Sequence, residues 1–84
     1  MKLEYRPRGV CSQQIEIDVE DGCVQDVKFT GGCSGNLQGI ASLVAGMKID
    51  DVINRLEGIR CGWKKTSCPD QLAKALRVLK EQQK

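Results

Sequence analysis

The sequence predicts an α+β domain, in which a three-stranded antiparallel sheet is followed by three helices packed on one face. Two patterns support this prediction. Apolar and polar residues alternate over the first 30 positions, as in half-buried strands. From Leu37 onward, apolar residues recur at spacings of three and four, as in amphipathic helices. Because 84 residues suffice for one modest core, we expect a single domain over 1–84.

Three strands are expected before the first helix. A short strand at Leu3 and Tyr5 ends at Pro7, and a second strand carries Ile15, Ile17 and Val19. The third strand runs to about Phe29 or Thr30.

A hairpin joins the second and third strands. We predict a three-residue loop, 20–22, because the resulting register pairs Val19 with Cys23 and Ile15 with Val27 and keeps one face apolar. Cys23 is then expected in the core.

Three helices account for the rest of the chain. Asp50 is expected to cap the second helix, and Gly58 to follow its end. Cys68 is expected to cap the third, because Pro69 favours the first helical position. The predicted buried stripes comprise Leu37, Ile40, Ala41, Val44, Met47, Val52, Ile53, Leu56, Leu72, Ala75, Leu76 and Leu79.

Composition excludes several classes of function. No histidine is present, so neither histidine ligands nor Cys–His catalysis is available. A net charge of +2 and one residue each of Phe, Trp and Tyr argue against a nucleic-acid interface. No apolar run is long enough for a membrane span, and no signal peptide is recognisable, so a cytoplasmic protein is expected.

Four of the five cysteines share one context. Cys11, Cys33, Cys61 and Cys68 all fall at the ends of predicted elements, and the first three have glycine within two residues. Four thiolates would bind a zinc ion or an iron–sulfur cluster. The alternative is that they are small buried apolar residues, which is the preferred interpretation for Cys23.

The residues around these cysteines suggest supporting roles. Arg8, Lys64 and Lys65 would offset thiolate charge or receive a phosphate, or they form a solvated face. Asp70 would support the site, act as an extra ligand, or complement the helix dipole. Trp63 would anchor a partner or shield the site.

A redox dithiol is the other chemical alternative. Cys61 and Cys68 lie in one loop and would form a reversible disulfide if that loop folds back. Lys64 and Lys65 would then favour the reactive thiolates.

The chain resembles the TSCPD domain family over nearly its whole length. Residues 66–70 spell Thr-Ser-Cys-Pro-Asp, and 32–37 and 58–62 are also similar to that family. The family contains small four-cysteine proteins and a domain at the C-terminus of many cobalamin-dependent ribonucleotide reductases. The resemblance implies a metal or iron–sulfur site, an association with deoxyribonucleotide synthesis, and the label ribonucleoside-diphosphate reductase. Its characteristic cysteines correspond to Cys11, Cys33, Cys61 and Cys68.

A weaker resemblance is to the IscU/NifU-type iron–sulfur scaffold proteins. The three scaffold cysteines correspond to Cys11, Cys33 and Cys68. The scaffold's aspartate and histidine are replaced by Gln13 and Ser67. Cys61 has no counterpart and would convert an open site into a closed one with four thiolates.

Three functions follow from these observations. The first is a module that binds zinc or an iron–sulfur cluster and serves a ribonucleotide reductase or another redox or iron–sulfur protein. The second is a reductase accessory protein that uses Cys61 and Cys68 as a dithiol. The third is a small interaction domain with inert cysteines. No residue is assigned a catalytic role, because a chain of 84 residues offers no enclosed cavity for radical chemistry.

Overall fold

The computed structural model describes residues 2–7, 9–10, 12–32, 34–60 and 62–82. The elements in chain order are β1 (Lys2–Tyr5), β2 (Ser12–Glu20), β3 (Cys23–Gly31), α1 (Ser34–Val44), α2 (Ile49–Leu56) and α3 (Cys68–Gln82). The strands form an antiparallel sheet in the order β1-β2-β3. This arrangement confirms the predicted α+β fold.

The core lies between the sheet and the helices. Strand β2 contributes its alternating residues Ile15, Ile17 and Val19, all at most 2% exposed. Helix α1 packs against β3, and α2 packs against α3. The three helices contribute the buried residues Val44, Ile49, Val52, Ile53, Leu72, Ala75, Leu76 and Leu79. Among the described residues, no helix has the length and apolarity that crossing a bilayer requires.

The predicted register of the hairpin is wrong. The turn has two residues, Asp21 and Gly22, with φ of 54° and 74°, so that Glu20 opposes Cys23. Such left-handed turns match the twist of the flanking strands, and Gly22 adopts this conformation at little cost. The register then shifts by one residue at Gln25, which forms a β-bulge.

The bulge keeps one face of the hairpin apolar, which the prediction had achieved with a three-residue loop. Beyond it, Ile17 opposes Val27 and Ile15 opposes Phe29. Val24 takes the core position and is fully buried, whereas Cys23 is only half-buried. The expectation that Cys23 lies in the core is therefore wrong.

The connection between α1 and α2 lies along the free edge of β3. The Val24 N–H donates to the Met47 carbonyl at 2.8 Å, and the Val24 carbonyl accepts from the Gly46 N–H at 2.7 Å. Lys48 is the N-cap of α2, with extended backbone, and its carbonyl accepts the Val52 N–H at 3.1 Å. Asp50, which we expected to be the cap, lies instead in the first turn.

Candidate functional site

Helix α3 is capped by Ser67. The Ser67 hydroxyl accepts a hydrogen bond from the Asp70 N–H at 3.2 Å, and its carbonyl accepts the Gln71 N–H at 2.9 Å. Cys68 is therefore the first helical residue, and the prediction that it is the cap is wrong. A serine hydroxyl is a much better acceptor for these N–H groups than a thiol. Pro69 takes the second position, where no intrahelical N–H bond is lost.

Asp70 joins the start of α3 to the end of α2. Its side chain is almost fully buried, and its Oδ1 accepts the Gly58 N–H at 2.7 Å. Its Oδ2 accepts the Thr66 hydroxyl and lies 3.3 Å from the Lys74 Nζ. Burial alone would raise the pKa of this carboxyl, but the hydrogen bonds from Thr66, Gly58 and Lys74 outweigh burial and lower the pKa.

The remaining polar side chains of the 66–70 segment also bind the chain itself. The Ser67 hydroxyl donates to the Ile59 carbonyl at 2.7 Å, and the Gln71 Nε2 donates to the Thr66 hydroxyl at 2.9 Å. These bonds fix the loop before α3 against the first turn of the helix. The residues before and after Cys68 are therefore both held by hydrogen bonds, which fixes the position of its backbone.

Sequence reasoning missed this network, although a signal was present. A serine followed three residues later by an acidic residue is the capping-box pattern, and Ser67 and Asp70 have that spacing. Gly58 follows α2 with φ of +88°, as predicted, and its N–H is one of the donors to Asp70.

A cavity of about 510 Å³ lies between α1 and the start of α3. Cys68, which is half-buried, lines this cavity. So do Val10 and Asn36, which come from two other segments of the chain, and Lys64, which lies in the loop that leads to Cys68. The cavity is therefore the place where three separate segments meet.

The predicted ligands are only partly described. Cys11, Cys33 and Cys61, together with Arg8, lie outside the described residues. Within the part of the chain that is described, no three or more His, Cys, Asp or Glu residues are grouped as a metal site. A four-thiolate site remains a prediction.

The segment before Cys11 lies against the segment that contains Cys68. A Cβ atom built on Gly9 would lie 3.3 Å from the Thr66 Cγ2, which is tighter than usual side-chain packing. Gly9 therefore permits the close approach of these two loops.

The basic loop, which we define as residues 59–65 between Gly58 and Thr66, carries an exposed tryptophan. Trp63 is 92% exposed, which leaves its ring accessible at the surface. Lys64 is half-buried in the main cavity, while Lys65 and Trp63 line a shallow cavity of about 540 Å³ next to it. Val10 and Lys64 line both cavities, so the two are continuous.

Comparison with known proteins identifies a family. No curated protein and no solved structure matches the chain. These comparisons add no support for the resemblance to IscU/NifU-type scaffolds. The family model of the TSCPD domain matches residues 3–80, which include the 66–70 segment and all four predicted ligand cysteines. The chain therefore belongs to the TSCPD domain family.

Proposed function

We propose that the protein is a metal-binding module, in which Cys11, Cys33, Cys61 and Cys68 hold a zinc ion or an iron–sulfur cluster. The observation that carries this proposal is the composition of the wall of the 510 Å³ cavity. It contains Cys68 and described residues from the segments that bear the other three cysteines.

Chain connectivity strengthens this argument. Val10 is joined to Cys11 by one peptide bond, and Gly35 follows Cys33 by two residues. Lys64 follows Cys61 by three residues. Consecutive Cα atoms are about 3.8 Å apart, so each of these cysteines is tethered within a few residues of the cavity wall.

The chemistry of the donors fits a soft metal. Thiolates favour zinc and iron–sulfur clusters over hard cations, and no histidine is present to compete. Lys64 in the cavity wall and the N-terminal end of α3 both offset negative charge. When bound, zinc would cross-link the segments that carry the four cysteines, whereas an iron–sulfur cluster would also carry an electron.

Asp70 supports the site without acting as a ligand. Both of its carboxylate oxygens accept hydrogen bonds from the chain itself, and the side chain is nearly fully buried. Its role is to hold the loop that precedes Cys68 against the helix.

A ribonucleotide reductase is the partner that the family suggests. The TSCPD domain also occurs at the C-terminus of many cobalamin-dependent ribonucleotide reductases. We therefore place this chain beside such an enzyme as an accessory protein, while nucleotide reduction takes place elsewhere.

Metal analysis of anaerobically purified protein tests the proposal. We expect bound zinc, or iron with sulfide, in a constant ratio to the chain. Serine substitution of Cys11, Cys33, Cys61 or Cys68 should reduce that ratio at least tenfold. Cys23→Ser is the matched control and should leave it unchanged. Folded wild-type protein without metal would refute the proposal.

A redox dithiol is the second candidate, favoured by Lys64 in the cavity wall with Cys68. This function predicts a disulfide between Cys61 and Cys68 that dithiothreitol reduces reversibly in metal-free protein. Mass spectrometry after thiol alkylation would detect it. A functional test adds the protein to a cobalamin-dependent ribonucleotide reductase with limiting reductant. Turnover that does not change would remove the electron-delivery role.

A further inference from the structure

Helix α1 is unusual for a helix with exposed positions. None of its residues, 34–44, carries a charge, and Leu43 is 78% exposed. Helices that face solvent usually carry charged residues on that side. The exposed face of α1 is therefore uncharged, and it carries one large apolar side chain, Leu43.

This face forms one wall of an apolar groove. Ile40 and Leu43 from α1 face Pro69 from α3 and Val10 across the 510 Å³ cavity. Trp63 extends the same surface through the adjoining shallow cavity. We call this surface the α1 groove and define it by Val10, Ile40, Leu43, Trp63 and Pro69. Its volume lies within the range of about 300–1,000 Å³ typical of binding pockets.

Among the described residues that line the α1 groove, the side chains with a permanent charge are all basic. Lys64 and Lys65 are the charged residues among those that line the two cavities, and no described Asp or Glu lines either one. An acidic partner would gain favourable contacts at this rim, whereas a basic one would be repelled.

We propose that the α1 groove binds a segment of another protein in which apolar side chains are flanked by Asp or Glu. The apolar side chains pack against the exposed Leu43 and Trp63, and the carboxylates face Lys64 and Lys65. An exposed tryptophan beside a concave apolar surface is the usual composition of an interaction hot spot. The proposal goes beyond the metal-binding function and requires no metal.

Two other occupants fit the charges less well. Nucleic acid would require a larger basic surface than two lysines, and its backbone has no apolar group for the groove. An anionic membrane would meet Trp63 and the lysines, but the concave wall of Ile40, Leu43 and Pro69 would stay unfilled.

The experiment uses a phage library of random 16-residue peptides, selected against the purified full-length protein. We expect the enriched peptides to combine apolar residues with Asp or Glu. The affinity of synthetic copies is then measured by fluorescence polarisation. Binding should weaken several-fold between 50 mM and 500 mM salt, because exposed charges are screened.

Variants locate the binding surface. Trp63→Ala should weaken binding about tenfold, as is typical of a tryptophan hot spot. Leu43→Glu should weaken it further, because it places a like charge in the groove. Lys65→Glu should weaken the binding of acidic peptides. It should strengthen the binding of versions in which Lys replaces Asp or Glu. Val78→Ala is the matched control, since Val78 is partly exposed on α3 and lines neither cavity.

Metal content and melting temperature of every variant keep this test separate from that of the metal site. Trp63→Ala should keep both values, because Trp63 does not line the main cavity, so its loss of peptide binding then reports on the groove alone. A protein that lacks metal but binds acidic peptides would support this inference and refute the proposed metal function.

Several results would overturn the inference. These are the absence of enriched peptides, enrichment of basic peptides, and an affinity that neither Trp63→Ala nor Leu43→Glu changes. Binding to phosphatidylglycerol vesicles that depends on Trp63, without peptide binding, would assign the surface to membranes. Self-association in sedimentation equilibrium that Leu43→Glu abolishes would assign it to a second copy of the chain.

Discussion

At the scale of single residues, Asp70 has the greatest consequences for the structure. It is a buried carboxylate, which is costly unless several donors compensate for the lost hydration. The donors are the Gly58 N–H, the Thr66 hydroxyl and Lys74. Gly58 and Thr66 lie on either side of the basic loop, so one carboxylate ties both ends of that loop to α3.

Replacing Asp70 by asparagine tests this role. Asp70→Asn removes the charge that Lys74 and Thr66 face, and charge-assisted hydrogen bonds contribute about 1.5–3 kcal/mol each. We expect the free energy of unfolding in urea at pH 7 to fall by about 2 kcal/mol. Asp51→Asn is the control, because Asp51 is exposed in the first turn of α2. Equal effects of the two substitutions would contradict the role of Asp70.

The lowered pKa of the Asp70 carboxyl predicts that the stability of the protein depends on pH. The pKa of Asp70 is lowered in the folded protein, so its contribution to stability is complete above the unfolded pKa of about 3.9. Below that pH the unfolded chain binds more protons than the folded chain, and the contribution is lost as pH falls through the folded pKa. The stability difference between wild type and Asp70→Asn should be constant from pH 7 to 5 and shrink below pH 4. Urea titrations at pH 7, 5, 4 and 3 measure it, and a difference that widens in acid would contradict the argument.

At the scale of elements, the β-bulge at Gln25 determines which side of β3 faces the core. Val24, Val27 and Phe29 point toward the core although Val24 and Val27 are three residues apart. Strict alternation cannot bury both valines, and the extra residue allows it. Without Gln25, the order of inward and outward residues would be regular.

Deletion of Gln25 should therefore leave the fold intact. The remaining residues keep their partners on β2, and the alternation Val24, Asp26, Val27 becomes regular. We expect the free energy of unfolding to change by less than about 1 kcal/mol. Deletion of Lys28, which is also exposed on β3, is the matched control. It moves Phe29 to the outer face and should destabilise the protein more. Thermal melts by circular dichroism compare the two, and the opposite order would contradict the role assigned to the bulge.

The elements themselves were predictable, because their signals are local. Alternation at Ile15, Ile17 and Val19 fixes β2, and the apolar spacing from Leu72 to Leu79 fixes α3. The hairpin register was not predictable from alternation alone, since a bulge and a longer loop both keep one face apolar. The bulge is distinguished by the turn at Asp21 and Gly22 and by pairing with the segment at Met47.

The candidate site was predictable only in part. Thiol chemistry and loop position selected Cys68 and its three partners, and the structure places Cys68 in the cavity wall. The α1 groove was not predicted, because the stripe that includes Ile40 was read as facing only the core. The exposed Leu43 shows that the apolar surface of α1 is wider than one stripe.

At the scale of the whole molecule, stability depends on a small core. Leu76 is fully buried in α3 and belongs to the core cluster. We expect Leu76→Ala to cost about 2–5 kcal/mol, a large share of the 5–15 kcal/mol of a typical domain. Val78→Ala, at a partly exposed position of the same helix, should cost less than about 1 kcal/mol. Urea denaturation measures both, and similar costs would show that α3 does not pack as described.

Ion pairs between α2 and α3 add little to this core. The Arg77 Nη2 donates to the Glu57 Oε1 at 2.9 Å, and Lys80 pairs with Asp50. All four side chains are exposed, so solvent screens both pairs and they contribute little to stability.

A core of this size makes metal binding matter for the fold as well as for function. A ligand that binds only the folded chain at 100 times its Kd adds about 2.7 kcal/mol to stability. For a domain of 60–100 residues, 1 kcal/mol corresponds to about 4–8 °C in melting temperature. If the proposed thiolate site is correct, removing the metal with a chelator should lower the melting temperature by at least about 10 °C. Cys23→Ser should respond like the wild type. Cys68→Ser should have the lower melting temperature both with and without chelator. Scanning calorimetry of metal-loaded and chelated protein measures the shift. If the melting temperature of the wild type did not change after metal loss, metal binding would not stabilise the fold.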